Sequence, residues 1–167
     1  MTSLNQNEQE KKMKNKILSL VLLTTATFGM VVPAFAHDAD CPFCKTKLVQ
    51  NTKTQDNEVV VKFGNKKIEY RCVYCVFADQ KKFSGDLVVY APSETVGKPI
   101  ILKRTSGKWS APDGTVFLNT FRRHVDCAEQ SRAFTSKSAL EKYAKANNVA
   151  SAKALTLDEM LKEASKK

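Results

Sequence analysis

Two short thiol clips stand out in this chain, CPFC at Cys41–Cys44 and CVYC at Cys72–Cys75. Two residues between paired cysteines let both sulfurs point at one ion, and two such clips complete a tetrahedral set. Four thiolates at about 2.3 Å suit zinc, and soft sulfur donors equally suit Cu(I). The same residues permit two other chemistries. The clips can form disulfides, with Cys41–Cys44 and Cys72–Cys75 only one of three pairings of these four, or one clip can trade electrons with a partner. If Cys72 opens a helix, its sulfur lies near unpaired N–H groups at the positive end of the helix dipole. That setting favours the thiolate, which either binds metal or attacks a disulfide. A thioredoxin-like clip, however, opens a long helix within a βαβ unit, and neither clip here has that setting.

A fifth cysteine, Cys127, makes the count odd and closes the segment RRHVDC at Arg122–Cys127. His124 and Cys127 stand three residues apart, so they reach one metal only if the segment curls into a turn; on a flat strand they point to opposite faces. A histidine beside two arginines is more often a surface residue, and the weight of His124 comes from the spare thiol of Cys127. His37 would head the processed chain, where a terminal amine and imidazole together can chelate copper beside Asp38 and Asp40. The candidate metal ligands are therefore Cys41, Cys44, Cys72 and Cys75, then Cys127 and His124, with His37 dependent on cleavage. The chain has no H-E-x-x-H, no G-x-S-x-G and no phosphate loop, and one histidine beyond its N-terminal part leaves little for acid–base work. No enzyme activity is expected.

Which chemistry the thiols perform depends on compartment. Lys14 and Lys16 precede an apolar run from Ile17 to Val32, then Pro33 and the A-x-A exit Ala34-Phe35-Ala36. This reads as a secretory signal over residues 1–36, with Met13 a natural start just before it. The run is shorter than the roughly 20 residues of a spanning helix, so no stable membrane span is expected after cleavage. No cysteine sits at the cut, so a lipid anchor is not expected either. The chain should be exported, to a periplasm or the extracellular space. The net charge of +10 over the whole sequence can attract nucleic acid, but an exported protein seldom meets it. A solvated lysine-rich exterior is the bland reading, and an anionic surface or acidic partner the functional one.

The elements that must hold these thiols read as α+β: antiparallel strands, ββα-type units and a few short helices in one domain over 37–147. A linker and amphipathic helix follow over 148–167. Val59–Phe63 and Lys66–Tyr70 flank Gly64-Asn65, a two-residue hairpin signal. Cys72–Lys82 lacks Gly and Pro and carries Val73, Val76 and Phe77 at helical spacing. Asp86–Ala91, Ile100–Arg104 and Thr115–Phe121 read as strands, separated by turn signals at Ser106-Gly107 and Pro112-Asp113-Gly114. Ala133-Phe134 reads as a strand entering a helix over Ser136–Asn147, capped by Ser136. Thr156-Leu157-Asp158-Glu159 is a capping box for a last helix, expected to dock loosely across a small, polar linker.

Taken together, C-P-x-C near the processed N-terminus, a hairpin, the Tyr70–Phe77 helix entry and Ala133–Lys145 (AFTSKSALEKYAK) resemble a known family. They are similar to the NosL-type accessory proteins of nitrous oxide reductase, and to the small cysteine knuckles called TRASH domains. The likeness spans Cys41–Asn147. It implies a compact α+β fold with ββα units and Cu(I) held for delivery to a client metalloenzyme or other metal-receiving protein. The family usually carries Gly-Met after its second cysteine, where this chain has Lys45-Thr46, and a lipid-bearing cysteine that this chain lacks. The thioether suited to Cu(I) is thus absent, and the Cys72–Cys75 clip offers further thiolates in its stead.

Overall fold

The hairpin forms as the turn chemistry requires. In the computed structural model, which describes residues 39–48, 58–149 and 151–166, strands β1 (Val59–Phe63) and β2 (Lys66–Tyr70) pair antiparallel from Val59↔Tyr70 to Phe63↔Lys66. Gly64 takes φ +56°, the left-handed conformation that admits a two-residue turn at no steric cost. The expected signal and His37 lie outside the described residues. Strands β3 (Leu87–Ala91), β4 (Ile100–Thr105) and β5 (Lys108–Ser110) extend the sheet in the order β2-β1-β3-β4-β5, all antiparallel.

Period-two alternation decides which face is buried. Val59, Val61, Leu87, Val89, Ala91, Ile100 and Leu102 all point to one side, and Val89 sits in register between Val61 and Leu102. Full burial of each large aliphatic side chain is worth roughly 1.5–3 kcal/mol, which fixes the register, because a one-residue slip would expose the whole row. Over this face lie α1 (Val73–Ala78), with Val73, Val76 and Phe77 buried, and α4 (Leu157–Ala164), with Met160 and Ala164 buried in the same core.

A second, two-stranded sheet pairs β6 (Val116–Asn119) with β7 (Ser131–Phe134). It is buried on both sides. Phe117 and Ala133 join the main core, whereas Leu118 and Phe134 pack with Leu140 of α3 (Lys137–Ala146) in a smaller cluster. Ser136 caps α3 by accepting from the Ala139 amide at 3.2 Å. The class is α+β, as the sequence indicates.

Three details differ from the expectation. The helix after the second clip ends at Ala78, and a 3-10 turn covers Gln80–Lys82. Asp79 breaks it: its buried carboxylate accepts from the Tyr70 hydroxyl at 2.8 Å and pairs with Lys82 at 2.8 Å, which ties the helix exit to β2. Strand β5 is additional, made by Ser106 and Gly107, which both take positive φ in a tight turn. The last helix is not loose. Its capping box is complete, and the linker before it is fastened by backbone bonds exchanged between Phe117 and Leu155, both 2.8 Å. Ala152 and Ala154 are small enough to let that linker pack against the α3 cluster.

Candidate metal centre

Three segments deliver the thiols. The first is a knuckle over Ala39–Leu48. It is closed by Cys41 N–H to Thr46 O at 2.9 Å, Lys45 N–H to Cys41 O at 3.0 Å and Leu48 N–H to Ala39 O at 2.8 Å. Lys45 takes φ +61° directly after Cys44, a left-handed conformation uncommon for a residue with a side chain, and its amine folds back onto Pro42 O at 2.9 Å. Cys41 is fully buried and Cys44 half-buried.

The second segment is α1, with Cys72 as its N-cap residue and Cys75 one turn later; the two sulfurs are 3.5 Å apart and both buried. The third satisfies the condition set by His124 and Cys127. The chain curls through a 3-10 turn (His124–Asp126) into the one-turn helix α2 (Cys127–Gln130), so both side chains face the same point. Arg71 straps the segments together. Its guanidinium donates to Lys47 O of the knuckle at 2.6 Å and to Val125 O of the turn at 2.8 Å.

Ligand atoms of Cys44, Cys75, His124 and Cys127 lie within 4.8 Å of one another, and Cys75 Sγ is 3.9 Å from His124 Nδ1. Metal–sulfur bonds of about 2.3 Å place two sulfurs of a tetrahedral site about 3.8 Å apart, so small rotamer shifts would bring these donors onto one ion. Cys41 and Cys72 adjoin this group: the Cys41 thiol interacts with that of Cys75, and the Cys72 thiol with those of Cys75 and Cys127. The two clips therefore converge. Cys127 and His124, which spacing ranks second, stand in the tightest four-donor set, while His37 lies outside the described residues. All five cysteines are unbridged.

Their acidities diverge. Cys41 is pulled down to about 5, chiefly by a hydrogen bond from Cys75, helped by backbone N–H groups of Arg71, Cys44 and Phe43, and opposed by burial. Burial raises Cys72, but hydrogen bonds from Cys127, Cys75 and Ser131 outweigh it and leave that thiol well below the ordinary range. Cys75 is pushed up because its single proton is shared with the surrounding sulfurs of Cys127, Cys41 and Cys72; Cys127 rises by donating to Cys72, and Cys44 rises through burial. Metal-free, the cluster thus holds thiolates solvated by neighbouring thiols, an arrangement suited to soft cations, which replace the shared protons.

An aromatic wall, not anticipated from spacing, surrounds His124. The rings of Phe43, Phe121 and Tyr74 lie at centroid distances of 5.8, 5.1 and 6.0 Å from the imidazole. They keep water from that side and fix the ring's orientation, as a hydrophobic shell does around a metal. A sequence signal for it exists: Phe43 and Tyr74 hold the same position in the two clips, C-x-aromatic-C, and their rings meet edge to face at 6.4 Å.

No helix among the described residues is long and apolar enough to cross a membrane. No family model, curated protein or solved structure matches this chain. The cluster of cysteines and His124 is a candidate site for a metal ion on its geometry alone.

Proposed function

We propose that this is an exported, non-catalytic metal-binding protein that carries or buffers copper as Cu(I) for a metal-receiving client, in the manner of the NosL-type proteins it resembles. The observation that carries the reading is the convergence of both clips with Cys127 and His124 at one point. Thiolate-rich donor sets select soft ions, and among these Cu(I) tolerates the low coordination that lets a partner take it by ligand exchange. Access supports cargo rather than permanent residence. Cys44 and His124 are only half-buried, and Val125, next to His124 in the chain, is 55% exposed, so one side of the cluster faces solvent. A client thiol can approach there while the inner sulfurs still hold the ion.

The test is uptake and release. Reduced protein handled without oxygen should take up Cu(I) against a competing chelator, hold it, and yield it to a stronger one within minutes without unfolding. Failure to compete for Cu(I) at all would overturn the reading.

Two observations favour a second reading, in which the same residues brace the fold. Cys41, Cys72, Cys75 and Cys127 are fully buried, as ligands of a structural zinc are, and the Cys72–Cys75 sulfurs stand 3.5 Å apart, close enough to oxidise to a disulfide after small rotations. A brace predicts that thermal stability collapses on chelation or reduction, where a carrier's changes modestly. If the close Cys72–Cys75 pair instead served thiol–disulfide exchange, the protein would reduce insulin, and Cys75→Ser would abolish it.

A further inference from the structure

The cluster holds more soft donors than one ion can use. A tetrahedral ion takes four, and Cu(I) among thiolates is content with fewer. Six donors meet here: Cys41, Cys44, Cys72, Cys75, Cys127 and His124. They are not equivalent in their contacts. Cys75 is the common partner, in contact with Cys41 of the knuckle and with Cys72 and Cys127. Cys41 is joined through the knuckle to Cys44, and Cys72 and Cys127 touch each other. Cys44, Cys75 and Cys127 also lie within 4.8 Å of one another, so the sulfurs form one compact cluster with Cys75 in common. Cys41, Cys44 and Cys75 lead outward to the surface, and Cys72, Cys75 and Cys127 form a group that is entirely buried.

We propose that the site takes two Cu(I) ions, bridged by the Cys75 sulfur: an inner ion on Cys72 and Cys127, and an outer ion on Cys41 and Cys44. His124 Nδ1, 3.9 Å from the shared sulfur, completes whichever ion needs a further donor. This deepens the carrier reading and rests on it. Charge favours the second ion. Sulfurs left without an ion must either stay protonated or carry uncompensated charge in a low-dielectric interior, which is strongly disfavoured. Each added Cu(I) displaces thiol protons to solvent and neutralises one more sulfur. Function also separates the two positions. The outer ion, reached past half-buried Cys44, is the one a partner can remove, while the inner ion keeps α1 and the His124 turn assembled between deliveries.

The experiment is a Cu(I) titration of the full chain, reduced and free of oxygen, against a competing chelator, read by native mass spectrometry. The expected plateau is two Cu(I) per chain, with a short copper–copper vector in X-ray absorption at full loading. Cys72→Ser should lower the plateau to one and erase that vector while leaving an ion that exchanges readily. Cys44→Ser should also lower it to one, but leave an ion that chelator removes at least tenfold more slowly than the outer ion of the unaltered chain. A plateau of one in the unaltered chain would overturn the two-ion site and leave the carrier reading standing. No uptake would overturn both. Two ions without a copper–copper vector would overturn the bridge. Because the stoichiometry and the vector are measured on the unaltered chain, a variant that fails to fold does not blunt the test.

Discussion

Cys41 and Cys72 accept hydrogen bonds from the thiols around them, and that shapes how the metal-free protein responds to pH. Cys41 titrates near 5 in the folded state against an ordinary value of 9.0, so the folded protein binds fewer protons than the unfolded chain between those limits. Its contribution is complete above the ordinary thiol value and lost as pH falls through 5; Cys72 acts in the same sense. Cys75 and Cys127, whose values are raised, act oppositely: theirs is present below the ordinary value and lost as pH rises beyond it. Stability of the reduced, metal-free protein should therefore rise from pH 5 to about 9 and then turn down. Thermal melts across that range would check this, and Cys41→Ser should flatten the rise; an unaltered chain with no such rise would show that the thiolates are not held as described. At this scale the sequence is informative where spacing is the signal. The clips, and the turn that His124 and Cys127 require, were legible because three residues suffice to aim two donors. Arg71 and Phe121 were not, since their roles arise from contacts with segments far along the chain: Arg71 with Lys47 and Val125, and Phe121 with the Tyr74 ring at 5.0 Å.

Among the elements, β4 carries a buried cation that the strand pattern hides. Alternation puts Arg104 on the inner face after Ile100 and Leu102, where its guanidinium donates to Gln80 O and Phe83 O at 2.8 Å and to Gly85 O at 2.5 Å. Trp109 flanks it and donates to the Gln80 side chain at 2.7 Å. One residue thus clamps the whole passage from α1 to β3. Arg104→Met keeps the aliphatic stem but strips the donors from three carbonyls, and should cost about 2–4 kcal/mol of stability. Denaturant unfolding would measure it, and a loss below about 0.5 kcal/mol would mean water replaces the clamp freely. Element boundaries were legible where a side chain acts on its own neighbours, as Ser136 does at α3 and Thr156 with Glu159 at α4. They were illegible where a distant partner decides, as when Tyr70 seizes Asp79 and stops α1 early, or when Leu155 finds Phe117 and draws α4 into the core.

The molecule as a whole keeps its metal candidates at the meeting point of three segments from far apart in the chain, which is why the fold class could be read from patterns while the shape of the site could not. The surface beside the site is cationic. A groove of about 500 Å³ is lined by Arg122, Arg123, Asp126 and Gln130 next to the His124 turn. The borders of the main sheet carry charge as well. One outer strand, β2, starts with Lys66 and Lys67, and the other, β5, is three residues long and starts with Lys108. Lys67 is paired with Glu58 and Glu69, but the ammonium groups of Lys66 and Lys108 make it costly for a second copy to add its own strand alongside, since desolvated like charges would face each other across the new ladder. Replacing Lys66 and Lys108 with threonine should give a species whose size grows with concentration in light scattering more than that of the unaltered chain; unchanged scattering would mean twist alone protects those borders. At high concentration, this repulsion would keep crowded molecules from growing edge to edge into fibres.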